Sequence, residues 1–256
     1  MGGSAQWALQ APLAAQRPLI CLDLPGYGQN AALDAFDSIE ANAVWVLDQL
    51  DQRGIDQFFL LGHSMGGMIV QEITRRAPHR VQRLILYATG ALGLLPGRFE
   101  TIEHSIDRAK AEGAARTAKR IAATWFLHRE AAAEYPNCSE IAAQTQLSAL
   151  ICGLTAMKHW SGEVALPNIS CPTLVLWGDG DRTYPWSQIE TLWKTIPDAR
   201  LAVLPHCAHA VHMERPDLFN ALITGFLDTV EATGQRVQHV PRDERDARFG
   251  GKAGEF

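Results

Sequence analysis

Ser64 stands between two glycines in Gly62-His63-Ser64-Met65-Gly66, with the apolar run Phe58 to Leu61 before it and Met68-Ile69-Val70 after it. A serine hydroxyl is a poor nucleophile at neutral pH. It attacks a carbonyl only when a base takes its proton and a carboxylate fixes the tautomer of that base. Two later loops hold these residue types. Gly178-Asp179-Gly180-Asp181-Arg182-Thr183-Tyr184-Pro185 carries two carboxylates, and Pro205-His206-Cys207-Ala208-His209-Ala210-Val211-His212 carries three imidazoles. Together they could perform acyl transfer: attack by serine, then hydrolysis by water that histidine activates. Histidines recurring every third residue also suggest a metal site, but that reading needs further ligands and leaves Ser64 unexplained.

Secondary structure must bring these residues together. Phe58 to Leu61 reads as a buried strand ending at Leu61, followed by a sharp turn and a helix from about Met65. The turn strains the backbone at Ser64, and Gly62 and Gly66 would each avoid a Cβ collision with the neighbouring strand and helix. The helix N-terminus beside Ser64 favours developing negative charge. Further strands are predicted over 18–22, 81–88, 173–177 and 200–204. Helices are predicted over Gln6 to Ala15 (capped by Ser4), after Asp37 or Ser38, over 186–195, and over 216–230 with Pro216 in the first turn. Continuous apolar strands alternating with amphipathic helices imply an α/β fold, a mostly parallel sheet flanked by helices. The carboxylate and imidazole loops then follow strand ends, where open α/β sheets build their sites. Strand signals vanish over 91–166, where Ala-rich helices are predicted at 106–120, 121–133 and 141–157, which reads as an inserted helical cap. The core is thus 1–90 and 167–232, and the charged, Gly-rich stretch 233–256 reads as a disordered tail.

Composition narrows the partners. A net charge of -5 over 256 residues, with no basic run, argues against nucleic acid. The five cysteines are odd in number and form no C-x-x-C pair, so they read as reduced thiols of a cytoplasmic protein. No apolar stretch approaches the roughly 20 residues of a membrane helix, and no signal peptide is visible. A small-molecule substrate is expected, without membrane or nucleic acid, and the oligomeric state is not legible.

Four motifs now stand in order, each at a strand end: Asp23-Leu24-Pro25-Gly26-Tyr27-Gly28, the Gly62–Gly66 turn, Gly178 to Pro185, and His209 through Glu214-Arg215-Pro216. In these the chain resembles the α/β-hydrolase family over roughly Met1 to Val230, in particular its small esterases, lactonases and carbon–carbon-bond hydrolases. The resemblance implies Ser64 as nucleophile and His209 as base and acid. It implies Asp181 rather than Asp179 as orienting carboxylate, because the family sets its acid three residues after the glycine and four before the proline. It also implies Met65 N–H as one oxyanion donor, no cofactor and no metal. The family's second donor follows an upstream His-Gly; Met1-Gly2-Gly3-Ser4 resembles the tail of that loop, so the donor position falls on Met1. The strands preceding that loop in the family would be absent, leaving an open sheet edge. His63, His212, Trp125 and Trp160 are pocket candidates, with His63 facing pocket or sheet and core packing competing for the two tryptophans. Glu214 would charge the first turn of the last helix, and Asp23 would bond its own loop. The implied activity is cofactor-free serine hydrolysis of a small carboxylic ester or lactone. One alternative is hydrolysis of carbon–carbon bonds in diketone or ring-cleavage products, although His63 and Ala210 stand where such enzymes often carry a polar ketone-binding residue and an aromatic. Another is a catalytically weak or inactive ligand-binding homologue.

Overall fold

The computed structural model describes residues 1–94 and 100–229. Four parallel strands, β1 (Phe58–His63), β2 (Val81–Tyr87), β3 (Thr173–Gly178) and β4 (Ala199–Leu204), form one sheet in the order β1-β2-β3-β4. The unbroken apolar run of β2 has a simple cause: both of its faces are buried. Leu84 and Leu86 point into one core with Met68, Ile73 and Val175, while Ile85 and Tyr87 point into the other with Leu174, Leu176 and Phe219. Helices α1 (Ile39–Asp51) and α2 (Met65–Arg76) contribute to the first core. The last helix and a 3₁₀ helix over Ser4–Ala15 contribute to the second. Ser38 caps α1 by accepting the Ala41 N–H at 3.2 Å.

Local prediction fails at the first strand. Residues 18–22 form no strand, and Leu19 and Ile20 are 44% and 46% exposed. A strand exists only when a neighbour completes its ladder, and among the described residues none pairs with the outer side of β1, an edge strand whose Phe59 is 38% exposed. Ser4 does not cap a helix either. It is the first residue of the 3₁₀ helix, and its N–H and hydroxyl donate to the Asp23 carboxylate at 2.6 and 3.0 Å. Asp23 also accepts the Gln29 N–H at 3.1 Å, so it ties its own loop to the N-terminal segment.

The middle of the chain is helical as predicted, but cut at different places. Its helices are α3 (Ile102–Glu112), α4 (Ala114–Ala123), α5 (Tyr135–Ala143) and α6 (Leu147–Lys158). Gly113 at φ 90° separates α3 from α4, a conformation that glycine alone adopts cheaply. Alanine favours helix along the whole stretch, so propensity leaves the breaks undetermined. After β3 and β4 come α7 (Trp186–Thr195), the one-turn α8 (Val211–Glu214) and α9 (Pro216–Asp228). The tail predicted at 233–256 lies outside the described residues.

Candidate active site

β1 runs two residues past the predicted end, through Gly62 and His63, and α2 begins at Met65. Ser64 between them sits at φ 55°, ψ -121°. Such a conformation costs a non-glycine residue about 1–3 kcal/mol and persists only where its surroundings enforce it. Here the Ser64 N–H donates to the Tyr87 carbonyl at 3.0 Å, and the Ser64 carbonyl accepts from Thr89 Oγ1 at 2.7 Å and Gly67 N–H at 2.9 Å. A Cβ on Gly62 would lie 2.3 Å from the Gly66 carbonyl oxygen, so that glycine is required as expected. Gly66 is not: a Cβ there meets open space, and the crowded position is Gly67, 2.4 Å from Thr89. Gly62→Ala is therefore expected to destabilise the fold by about 1–3 kcal/mol, while Gly66→Ala leaves the urea midpoint unchanged or raised.

The base and acid meet as expected. His209 Nδ1 lies 2.9 Å from Asp181 Oδ2, with both side chains fully buried. An ionised Asp181 only accepts, so Nδ1 carries the proton and Nε2 keeps its lone pair. That Nε2 is buried and has no hydrogen-bond partner. The other Asp181 oxygen accepts the N–H groups of Thr183 and Tyr184 at 2.7 and 3.2 Å. Asp179 and His206 are exposed. Among the described residues no three His, Cys, Asp or Glu side chains group as metal ligands.

His63 and His212 do not line the cavity beside Ser64; both serve the core around Tyr87. The Tyr87 hydroxyl donates to the His209 carbonyl at 2.9 Å, accepts the His212 N–H at 3.1 Å and meets His212 Nδ1 at 3.0 Å. His63 Nε2 lies 3.0 Å from the same His209 carbonyl and must be the donor. The His63 ring stacks on Tyr87 at 4.4 Å, and His212 stacks on Trp7 at 4.6 Å. Burial, then the neighbouring His209 and His212, holds His63 well below the ordinary imidazole value; burial, then His209, pulls His212 down to about 3. Their ring nitrogens looked like pocket groups in the sequence, and only the packing supplies the buried partners. Trp160 is likewise a core residue, packed with Leu166 and Ile169.

The cavity at Ser64 measures about 80 Å³. Met1, Met65 and Trp125 line it, with Tyr27, Thr183 and Tyr184 and an apolar wall from α4 and α6. The His209 ring lies 5.9 Å from that of Trp125 and 5.7 Å from that of Tyr184. Met65 opens α2, so its N–H has no intrahelical acceptor and is available to an anion. Thr183 was missed by sequence reasoning; the Asp-x-Thr spacing after Asp181, an Asx-type turn, was its only signal. Glu214 does not lie on the last helix. It ends α8, and its two oxygens accept the N–H groups of Leu127 at 2.7 Å and Ala208 at 2.6 Å.

A parallel α/β sheet with a strained serine turn after one strand, and a buried Asp–His pair after two later ones, defines the class. The sequence profile of the alpha/beta hydrolase family matches residues 2–222, and the chain belongs to that family. It is 28% identical over 226 residues to the 2-hydroxy-6-oxo-6-phenylhexa-2,4-dienoate hydrolase of Burkholderia cepacia, covering 84% of this chain and 78% of that protein. A thermophilic esterase from Thermogutta terrifontis is 27% identical with TM-score 0.74, covering 88% of this chain and 85% of that one. An esterase from Exiguobacterium antarcticum, at 18% identity, shares the fold with TM-score 0.81 over 89% of this chain and 88% of its own. Family membership supports hydrolase activity. Among the described residues no helix is long and apolar enough to cross a membrane.

Proposed function

We propose that the chain hydrolyses a small carboxylic ester or lactone through an acyl-enzyme on Ser64. The observation that carries this is the buried His209–Asp181 bond, which leaves His209 Nε2 without a hydrogen-bond partner, in a chain that also holds Ser64 in a strained turn after β1. Ser64 Oγ attacks the carbonyl as His209 Nε2 takes its proton, and Asp181 stabilises the imidazolium. The oxyanion is held by Met65 N–H at the start of α2, with Met1, on the same cavity, as candidate second donor. His209 then protonates the leaving alkoxide, activates water and releases the acid. A cavity of about 80 Å³ favours short acyl groups. The free cysteines, three of them buried, support a reducing, cytoplasmic location.

A panel of nitrophenyl esters of increasing acyl length, with small lactones, tests the proposal. Short esters are expected to turn over fastest, and labelling by a fluorophosphonate is expected at Ser64. The likeness to the Burkholderia cepacia enzyme favours a second reading, carbon–carbon-bond hydrolysis with the same triad. Cleavage of a ring-cleavage diketone without any esterase activity would decide for it. An inert Ser64 would instead point to a binding protein.

A further inference from the structure

We propose that the turn Trp125–Leu127, clamped by Glu214, is the element that positions the His209–Asp181 pair and joins it to the cavity wall. The proposal deepens the hydrolase reading above and rests on it for its kinetic readout. Three consecutive residues after α4 bond to both loops of the pair. On the histidine side, the Trp125 carbonyl accepts the Ala210 N–H at 2.9 Å. Glu214 Oε1 accepts the Leu127 N–H at 2.7 Å, and its Oε2 accepts the Ala208 N–H at 2.6 Å. Ala208 and Ala210 are the two chain neighbours of His209, so both amides flanking the base are held by this clamp. On the acid side, Arg182 follows Asp181 and donates from its two terminal nitrogens to the carbonyls of Phe126 and Leu127, both at 3.1 Å.

The ring of Trp125 meanwhile lines the cavity and lies 5.9 Å from that of His209. A bound acyl group touching that wall thus presses on a turn bonded to both sides of the base. Glu214 suits the task because it faces two donors with two acceptor oxygens, and a charge-assisted bond to an amide is stronger than a neutral one. Glutamine cannot replace it: with one acceptor and one donor, it leaves an N–H of Ala208 or Leu127 facing an NH₂ group. Misplacing reacting groups by an ångström can cost about 10²-fold in rate.

The test compares wild type, Glu214→Gln and Arg182→Met by kcat and KM for a short nitrophenyl ester, by thermal midpoint, and by the downfield proton resonance of His209 Nδ1–H. Glu214→Gln is expected to lower kcat by about 10- to 100-fold with KM nearly unchanged, and to broaden or abolish the resonance. A folded Glu214→Gln with wild-type kcat and an intact resonance overturns the proposal. Arg182 is exposed, so its variant keeps the test alive if Glu214→Gln does not fold. A severalfold fall in kcat at constant thermal midpoint then supports the clamp, and wild-type kcat overturns it. If wild type cleaves none of the esters, the hydrolase reading fails by itself, and the resonance alone decides the positioning role.

Discussion

Ser64→Ala is expected to lower kcat for a short nitrophenyl ester by about 10⁶-fold, because in the proposed mechanism Ser64, His209 and Asp181 act as a unit and losing the nucleophile removes nearly all their effect. His209→Ala should cost about as much, and the double variant little more than either one alone. Asp181→Asn is expected to cost about 10⁴-fold, since an amide nitrogen facing Nδ1 selects the wrong tautomer of His209. The side chain of Ser64 makes no hydrogen bond that the fold depends on: the serine turn is held through its backbone N–H and carbonyl, which alanine retains. The thermal midpoint of Ser64→Ala should therefore stay close to that of wild type. Steady-state kinetics on the purified variants decide the matter, and a Ser64→Ala protein keeping even one per cent of its activity would remove the serine from the mechanism.

Stability should fall by about 3 kcal/mol between pH 8 and pH 4.5 from His212 alone, two pH units below 6.5 at 1.36 kcal/mol per unit, with His63 adding to the fall in the same direction. His63 is held well below the ordinary value of 6.5, and His212 is drawn to about 3, in both cases chiefly by burial. His212 stays neutral in the folded protein through this window and His63 takes up its proton less readily there than in the unfolded chain, which protonates both below about pH 6.5. The unfolded state then binds more protons, so stability rises with pH through this window. It is fully present above pH 6.5 and is lost as the pH falls toward the folded values. Urea unfolding at half-unit steps should show the decline beginning above the range where carboxylates titrate, and His212→Asn should make it shallower. A flat unfolding free energy between pH 7 and pH 5 would show that these histidines are not held neutral.

Much of this protein is written locally. β1 to β4 were visible as apolar runs, and those of β2 and β3 are nearly continuous because both faces of these central strands are covered. The strand-end loops that hold Ser64, Asp181 and His209 were legible in the residue types, and the family resemblance singled out Asp181 and His209 within them. Other features have no local signature. Residues 18–22 have the composition of a strand but no ladder partner, and Gly66 resembles a steric necessity that in fact falls on Gly62 and Gly67. His63 and His212 resemble pocket groups until Tyr87 appears beside them. Tyr87 reaches the His209 carbonyl across 122 positions of sequence, and Glu214 reaches Leu127 across 87.

The sequence by itself determined the fold class and the serine turn, since periodicity and turn chemistry are properties of neighbouring residues, while the choice of Asp181 and His209 among neighbouring carboxylates and imidazoles came from the family resemblance. Only the tertiary structure decided which histidines pack beside Tyr87, which groups bond to the chain on either side of His209, and which side chains face the cavity. A buried polar group is defined by its hydrogen-bond partner, and those partners come from distant parts of the chain.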